Sequence, residues 1–326
     1  RDAKLFKPRN SLGNTGGQFY IAKNPTYGAV FTYHLNDVPS TSKSKRMRSE
    51  RILNKDMKDI PFPGYEKLAA EMEEKSASII LTIKDSDGNH IRNIKKTASK
   101  GSGKIAWNLR HKSYYPVRAG RSQSSWYYNP SGPYVTPGEY HAELFMEKDG
   151  TVEKLDGPIS FNVKPLRKGT LQGSSYDEYN SFRTKLSSLY IDISKYEDEF
   201  RLMDNKIQIL EKAAMQLETF SPEMLKKIAD MKNKYNKLEL EYESNPARDE
   251  IGEWDKVTLS TRIRIAMQGL STSYGPTELN ISNLDIAQKI FNDYKVVIES
   301  LKSELENLEK EVKDLNPPHI SGSGIN

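Results

Sequence analysis

The stretch 182-FRTKLSSLYIDISKYEDEFRLMDNKIQILEKAAMQL-217 decides half of the fold. Its apolar side chains recur at alternating spacings of four and three: Phe182, Leu186, Leu189, Ile193, Tyr196, Phe200, Met203, Ile207, Leu210, Ala214 and Leu217. A repeat averaging about 3.5 residues puts one narrow seam on a helix, the pattern of helices that pack lengthwise on one another. Leu284, Ala287, Phe291, Tyr294, Ile298, Leu301, Leu305, Leu308, Val312 and Leu315 repeat the pattern near the end of the chain. At ~1.5 Å per residue, each run spans roughly 50 Å. Between them, Ser221-Pro222-Glu223 supplies an N-cap, a proline at the first helical position and an early acid, so a second helix starts there. It carries Leu225, Ile228, Tyr235, Leu238 and Tyr242 before Asn245-Pro246 stops it. A short helix is expected over 259–268, and Tyr274-Gly275-Pro276-Thr277 leads into the last long one. Short connections make neighbours antiparallel, so residues 169–316 read as an up-down-up bundle of three main helices, with 317–326 as a tail.

Upstream of the linker at 165–173 the period changes to two. Ala29, Phe31, Tyr33 and Leu35 share one face of a strand over 28–35. A β-branched run over 78–84 ends in the turn cluster Asp85-Ser86-Asp87-Gly88-Asn89, which joins it to 91–94. Ile105, Trp107 and Leu109 alternate next. Tyr140, Ala142, Leu144 and Met146 follow, entered through Pro137-Gly138, and Asp149-Gly150 turns the chain towards Ile159, Phe161 and Val163. Many short antiparallel strands with close turns imply a small β-sandwich over 1–168. Residues 39–76 form a charged, partly helical insertion, with one short helix over 65–74.

At 326 residues the chain is long enough for two domains. No apolar run approaches the roughly 20 residues that cross a bilayer, so no membrane span is expected. Cysteine is absent, which removes disulfides and thiolate chemistry and suits an exported protein. A first residue of Arg1 is expected of a processed chain or of the end of a longer one. The formal charge of +5 is local: Lys43, Lys45, Arg46, Arg48, Arg51, Lys55 and Lys58 face only Glu50 and Asp56. That run lacks the aromatic residues on which single-stranded nucleic acids stack, so it reads as a solvated charged helix or linker and no nucleic-acid partner is expected.

Catalytic signatures are missing. His34, His90, His111, His141 and His319 have no metal-ligand spacing, and neither a nucleophile elbow nor a phosphate loop occurs. No catalytic residue, metal or cofactor is expected. Asp85, Asp87 and Asn89 have calcium-loop spacing, but glycine is fourth rather than sixth and Lys96 stands where a bidentate glutamate is required. A hairpin turn accounts for them. The candidate ligand contacts are aromatic: Tyr114, Tyr115, Trp126, Tyr127, Tyr128 and Tyr134, in a loop between two strands. Such rings stack on sugars or anchor a protein partner. Alternatively, a long insertion uses them as its own small core.

Several motifs carry a resemblance. Ile80-Leu81-Thr82-Ile83-Lys84-Asp85, Asp87-Gly88-Asn89, Ile105-Ala106-Trp107-Asn108-Leu109-Arg110 and Gly132-Pro133-Tyr134-Val135-Thr136-Pro137-Gly138-Glu139-Tyr140 resemble the Ig-like sandwich of flagellar hook-capping proteins. Leu5-Phe6-Lys7-Pro8-Arg9, Tyr27-Gly28-Ala29-Val30 with Tyr33, Asp59-Ile60-Pro61-Phe62-Pro63, and Ser273-Tyr274-Gly275-Pro276-Thr277 before a leucine-rich last helix extend it. The whole resembles the C-terminal region of bacterial sortilin-like (VPS10/BNR-repeat) β-propeller proteins, often labelled "glycosyl hydrolase". The resemblance implies an attached N-terminal propeller and export to the periplasm, the outer-membrane surface or the medium. It also implies a partner that is a protein of an envelope or secreted complex, or a glycan. Any hydrolase activity would belong to the propeller, so the chain is expected to be a non-enzymatic scaffold. The alternative is the accessory end of a glycan-active hydrolase. The expected fold class is α+β: an Ig-like antiparallel sandwich followed by a long antiparallel helical bundle.

Overall fold

The computed structural model describes residues 3–4, 26–117, 131–166, 169–243 and 245–317. The fold is α+β, with antiparallel sheets followed by long helices. The chain splits into two compact units, Arg1–Ser113 with Asn129–Lys168, and Tyr114–Tyr128 with Gly169–Asn326.

The first unit is built from β1 (Ala3–Lys4), β2 (Ala29–Leu35), α1 (Ser42–Lys55), α2 (Tyr65–Glu73), β3 (Ser78–Asp85), β4 (His90–Thr97), β5 (Gly101–Trp107), β6 (Arg110–Lys112), β7 (Ser131–Tyr134), β8 (Gly138–Lys148) and β9 (Thr151–Lys164). One sheet runs β1-β9-β8-β3-β4, and the ribbons β2-β5 and β6-β7 complete the strands. All pairings are antiparallel except β1 with β9. Alternating residues fill a shared core, Ala29, Tyr33 and Leu35 from β2, Ile79, Leu81 and Ile83 from β3, Phe161 and Val163 from β9, while Phe31 is half-buried and Ile159 is exposed. Trp107 is fully buried at its centre, with ring centroids 5.5 Å from Tyr140 and 6.0 Å from Phe161. Leu109 is buried too, but it lies beyond β5 at φ 59° and not in the strand that the alternation implies.

The basic segment forms α1, a helix with no buried residue. Thr41 caps it, and Arg46 holds Glu50 at 2.6 Å and Glu71 of α2 at 2.8 Å. In the turn after β3, Asp85 Oδ1 accepts the backbone N–H groups of Asp87 and Asn89, at 3.1 and 2.8 Å. That carboxylate closes a turn, as the hairpin reading expects.

The second unit holds α3 (Tyr176–Ala214), α4 (Pro222–Tyr242), α5 (Pro246–Glu250), α6 (Leu259–Gln268) and α7 (Glu278–Asp314). Ser175 and Glu178 form a reciprocal capping box at the start of α3, which stops at Ala214, one seam position short of Leu217. Both long seams face inward. Phe182, Leu186, Leu189, Ile193, Phe200, Met203, Ile207, Leu210 and Ala214 are buried on α3, as are Leu284, Ala287, Phe291, Ile298, Leu301, Leu305, Leu308 and Val312 on α7.

The two long helices run parallel in one register. Tyr196 donates to Glu299, Lys302 to Glu199, and Lys206 pairs with Glu309, all at an offset of 103 residues. The groove beside them is filled by two helices in succession. Leu259, Ile263 and Ala266 of α6 pack on the first halves of α3 and α7. Met224, Ile228, Met231, Tyr235 and Leu238 of α4 pack on the second halves. Both run antiparallel to α7: Lys227 meets Glu311 and Lys234 meets Glu304, while Arg262 meets Asn283 and Asn280 donates to the Ile265 carbonyl. The bundle is therefore up-down-up, with its descending pass in two pieces.

Candidate binding site

The described candidate rings fall into two groups. Arg110 opens β6 directly opposite Tyr134 of β7. That cross-strand pairing sets the guanidinium 3.7 Å from the Tyr134 ring centroid, a cation–π contact. Arg110 also donates to the Gly132 carbonyl at 3.2 Å, and Trp107 Nε1 donates to the carbonyl of Arg110 at 2.9 Å, tying the strand start to the core. Gly132 is needed for the approach of the two strands, since a Cβ there would lie 2.3 Å from the Lys112 carbonyl oxygen.

Tyr27 packs edge-on to Tyr134, with centroids 6.4 Å apart. Its position depends on Gly28, whose φ of +104° excludes other residues and whose Cβ would meet the Trp107 carbonyl oxygen at 1.9 Å. Burial first, then a hydrogen bond with the Tyr134 hydroxyl, pushes the Tyr27 phenol well above its ordinary pKa.

Arg92 of β4 completes this group. Its Nη1 donates to Asn108 Oδ1 at 3.3 Å and reaches the His111 carbonyl at 3.5 Å. Burial, and then the neighbouring Arg110 charge, hold its pKa below the usual guanidinium value. Two half-buried arginines thus stand close together, and among the described residues neither has a carboxylate partner. Sequence reading picked out Tyr134 but missed Tyr27, Arg92 and Arg110 as a group.

Tyr114 and Tyr115 form the other group. Their rings stack with centroids 5.0 Å apart, and each meets Tyr190 of α3 edge-on at 5.3 Å. All three are half-buried and form a small aromatic clasp at Tyr190, which itself packs against the bundle core. Trp126, Tyr127 and Tyr128 lie outside the described residues. Trp254, which sequence reading passed over, is 97 % exposed. Among the described residues, no group of three or more His, Asp or Glu is placed to hold a metal ion, and no helix is long and apolar enough to cross a membrane.

No family model matches the chain, and neither a curated protein nor a solved structure matches it.

Proposed function

We propose that this chain is a non-catalytic scaffolding and binding region of an exported bacterial β-propeller protein, in which the helical bundle is a strut and the aromatic loop meets the partner. The partner is a protein of an envelope or secreted assembly, or a glycan. The observation that carries the reading is the bundle itself. Two parallel helices of 39 and 37 residues are locked by ion pairs and hydrogen bonds at one constant offset, and their apolar seams are consumed by their own packing. Such a rod holds surfaces at fixed separation, while its outer Lys and Glu residues offer a partner little to anchor on.

Support for a role of the loop comes from Tyr114 and Tyr115, which pin one end of it to α3. Aromatic side chains as a class offer a large contact area at small entropic loss. The test is capture from envelope extracts or on a glycan array by the intact chain and by a Trp126→Ala/Tyr127→Ala/Tyr128→Ala variant. Loss of capture with an unchanged melting temperature is expected. Full capture by the variant would move the site off the loop, and unfolding of the variant would make the rings core. Glycan hydrolysis by this chain, abolished by one Asp or Glu substitution, would overturn the non-catalytic reading.

A further inference from the structure

We infer that Arg92 and Arg110, walled by Tyr134 and Tyr27, form a binding site for an oxyanion, a carboxylate or a phosphate monoester. The site is built from sandwich residues, and the inference stands whether or not the rings at 126–128 bind anything.

The argument begins with charge. Other partly covered cations of this unit are neutralised at contact distance. Arg46 is held by Glu50 and Glu71, Lys148 by Glu74 and Asp149, and Lys84 by Glu143. Among the described residues, Arg92 and Arg110 break that rule. Their acceptors are neutral: an amide oxygen and a carbonyl for Arg92, a carbonyl and a ring face for Arg110. Withdrawing two like charges from water side by side is unfavourable unless something compensates them.

Orientation strengthens the case. Each guanidinium has five N–H donors in a rigid plane, and the contacts of Arg92 and Arg110 within the described protein engage only Nη1 of each. Fixed planes with donors to spare match the two-pronged geometry of carboxylate and phosphate, a match that lysine does not offer. The strands that set those planes are themselves fixed, Arg110 through Trp107 Nε1 and the Tyr134 pairing, Arg92 through Asn108 and the His111 carbonyl. The aromatic wall gives the carbon skeleton of a ligand an apolar edge to rest on.

Calorimetric titration of the full chain with glucuronate, glucose 6-phosphate and glucose tests the site. These probes share a ring and differ in the charged group. Dissociation constants of about 1 mM are expected for the two anions, a free energy of ~4 kcal/mol, and no binding for glucose. Binding of one anion alone supports the site and identifies its source as carboxylate or phosphate. Arg92→Gln and Arg110→Gln should each weaken binding by about tenfold, the scale of one charge-assisted hydrogen bond. Arg110→Lys keeps the charge but loses the fork and should fall between, so it serves if a glutamine variant fails to fold. The Trp126→Ala/Tyr127→Ala/Tyr128→Ala chain should bind the anions as wild type does, which separates this site from the loop.

The ligand-free proteins provide a second readout. If the two charges lack a counter-ion, Arg92→Gln should melt at or above the wild-type temperature in low salt. A lower melting temperature together with unchanged anion binding would make Arg92 a structural tie and overturn the inference. Absence of binding by both anions, or equal binding by the Arg92→Gln/Arg110→Gln double variant, would also overturn it.

Discussion

The sandwich and the bundle are held together in opposite ways. In the sandwich, pairing joins residues far apart in the chain: Ala29 lies opposite Trp107, and Ser78 opposite Glu147. Its core closes around one aromatic cluster, Trp107, Tyr140 and Phe161. In the bundle each helix is specified by its neighbours in sequence, and the two cores repeat one motif along the rod. Ionisable groups divide in the same way. Hydrogen bonds from lysine and arginine hold Glu71, Glu74, Glu143 and Glu147 of the sandwich below the usual carboxylate range. In the bundle, three tyrosines are raised instead. Tyr196 is pushed up to about 12, by its hydrogen bond to Glu299 and then by burial, and burial raises Tyr235 and Tyr294. One unit concentrates its structure in a few non-local contacts, whereas the other distributes it along a repeat.

The strongest test of that contrast is Trp107→Ala. Emptying the fully buried centre of the sandwich should cost about 3–5 kcal/mol. Near-ultraviolet circular dichroism should lose its sandwich signal at a temperature where the 222 nm helical signal persists. Loss of both signals together would mean that the units do not unfold separately. Leu305→Ala, at a fully packed seam position of α7, should cost about 2–5 kcal/mol and lower the helical transition alone.

Acid and alkali should separate the units by a smaller margin. For the depressed glutamates, the stabilising ion pairs are in place above the ordinary carboxylate value of about 4.3 and are lost as pH falls below it. The sandwich transition should therefore drop first on acidification, although Glu178 and Asp255 give the bundle some of the same sensitivity. For Tyr196 the sign reverses. Unfolded tyrosine ionises near pH ~10 while the folded phenol does not, so bundle stability falls between about pH 10 and about 12. Tyr27 gives the sandwich an alkaline response of the same sign, one raised tyrosine against three in the bundle. Melts at pH 3 and pH 11 should show opposite orders of unfolding, and the same order at both would break the comparison. The smallest effect is expected from Ser175→Ala, which removes the cap of α3 and should cost ~1 kcal/mol, seen as a small drop in the helical melt only.

The bundle was the more legible unit because a helical seam is written in consecutive residues. Phe182 to Ala214 and Leu284 to Val312 needed only their spacing to be read. The pairing of α4 and α6 in one groove was not legible, since it depends on which halves of α3 and α7 each helix meets. In the sandwich, alternation located the long strands. It carried the third strand one step too far, because Leu109 is buried like a strand residue while its backbone has already turned. β1, β6 and β7 are too short to show a period. The arginine pair was hidden for the same reason as the sheet topology. Arg92 and Arg110 are 18 positions apart and meet only because β4 runs beside β6. Nothing in their local sequence distinguishes them from solvent-facing arginines.

The odd number of passes in the bundle has a mechanical consequence. An up-down-up path brings the chain in at the start of α3 and takes it out at the end of α7, roughly 55 Å away along the rod. Tension between those two points is borne lengthwise, by sliding one helix past another, rather than by peeling them apart from one end. Sliding α7 along α3 strains Tyr196–Glu299, Glu199–Lys302 and Lys206–Glu309 simultaneously, because all three share one offset. Pulling along the axis therefore loads these three contacts together, whereas peeling from one end would load them one after another.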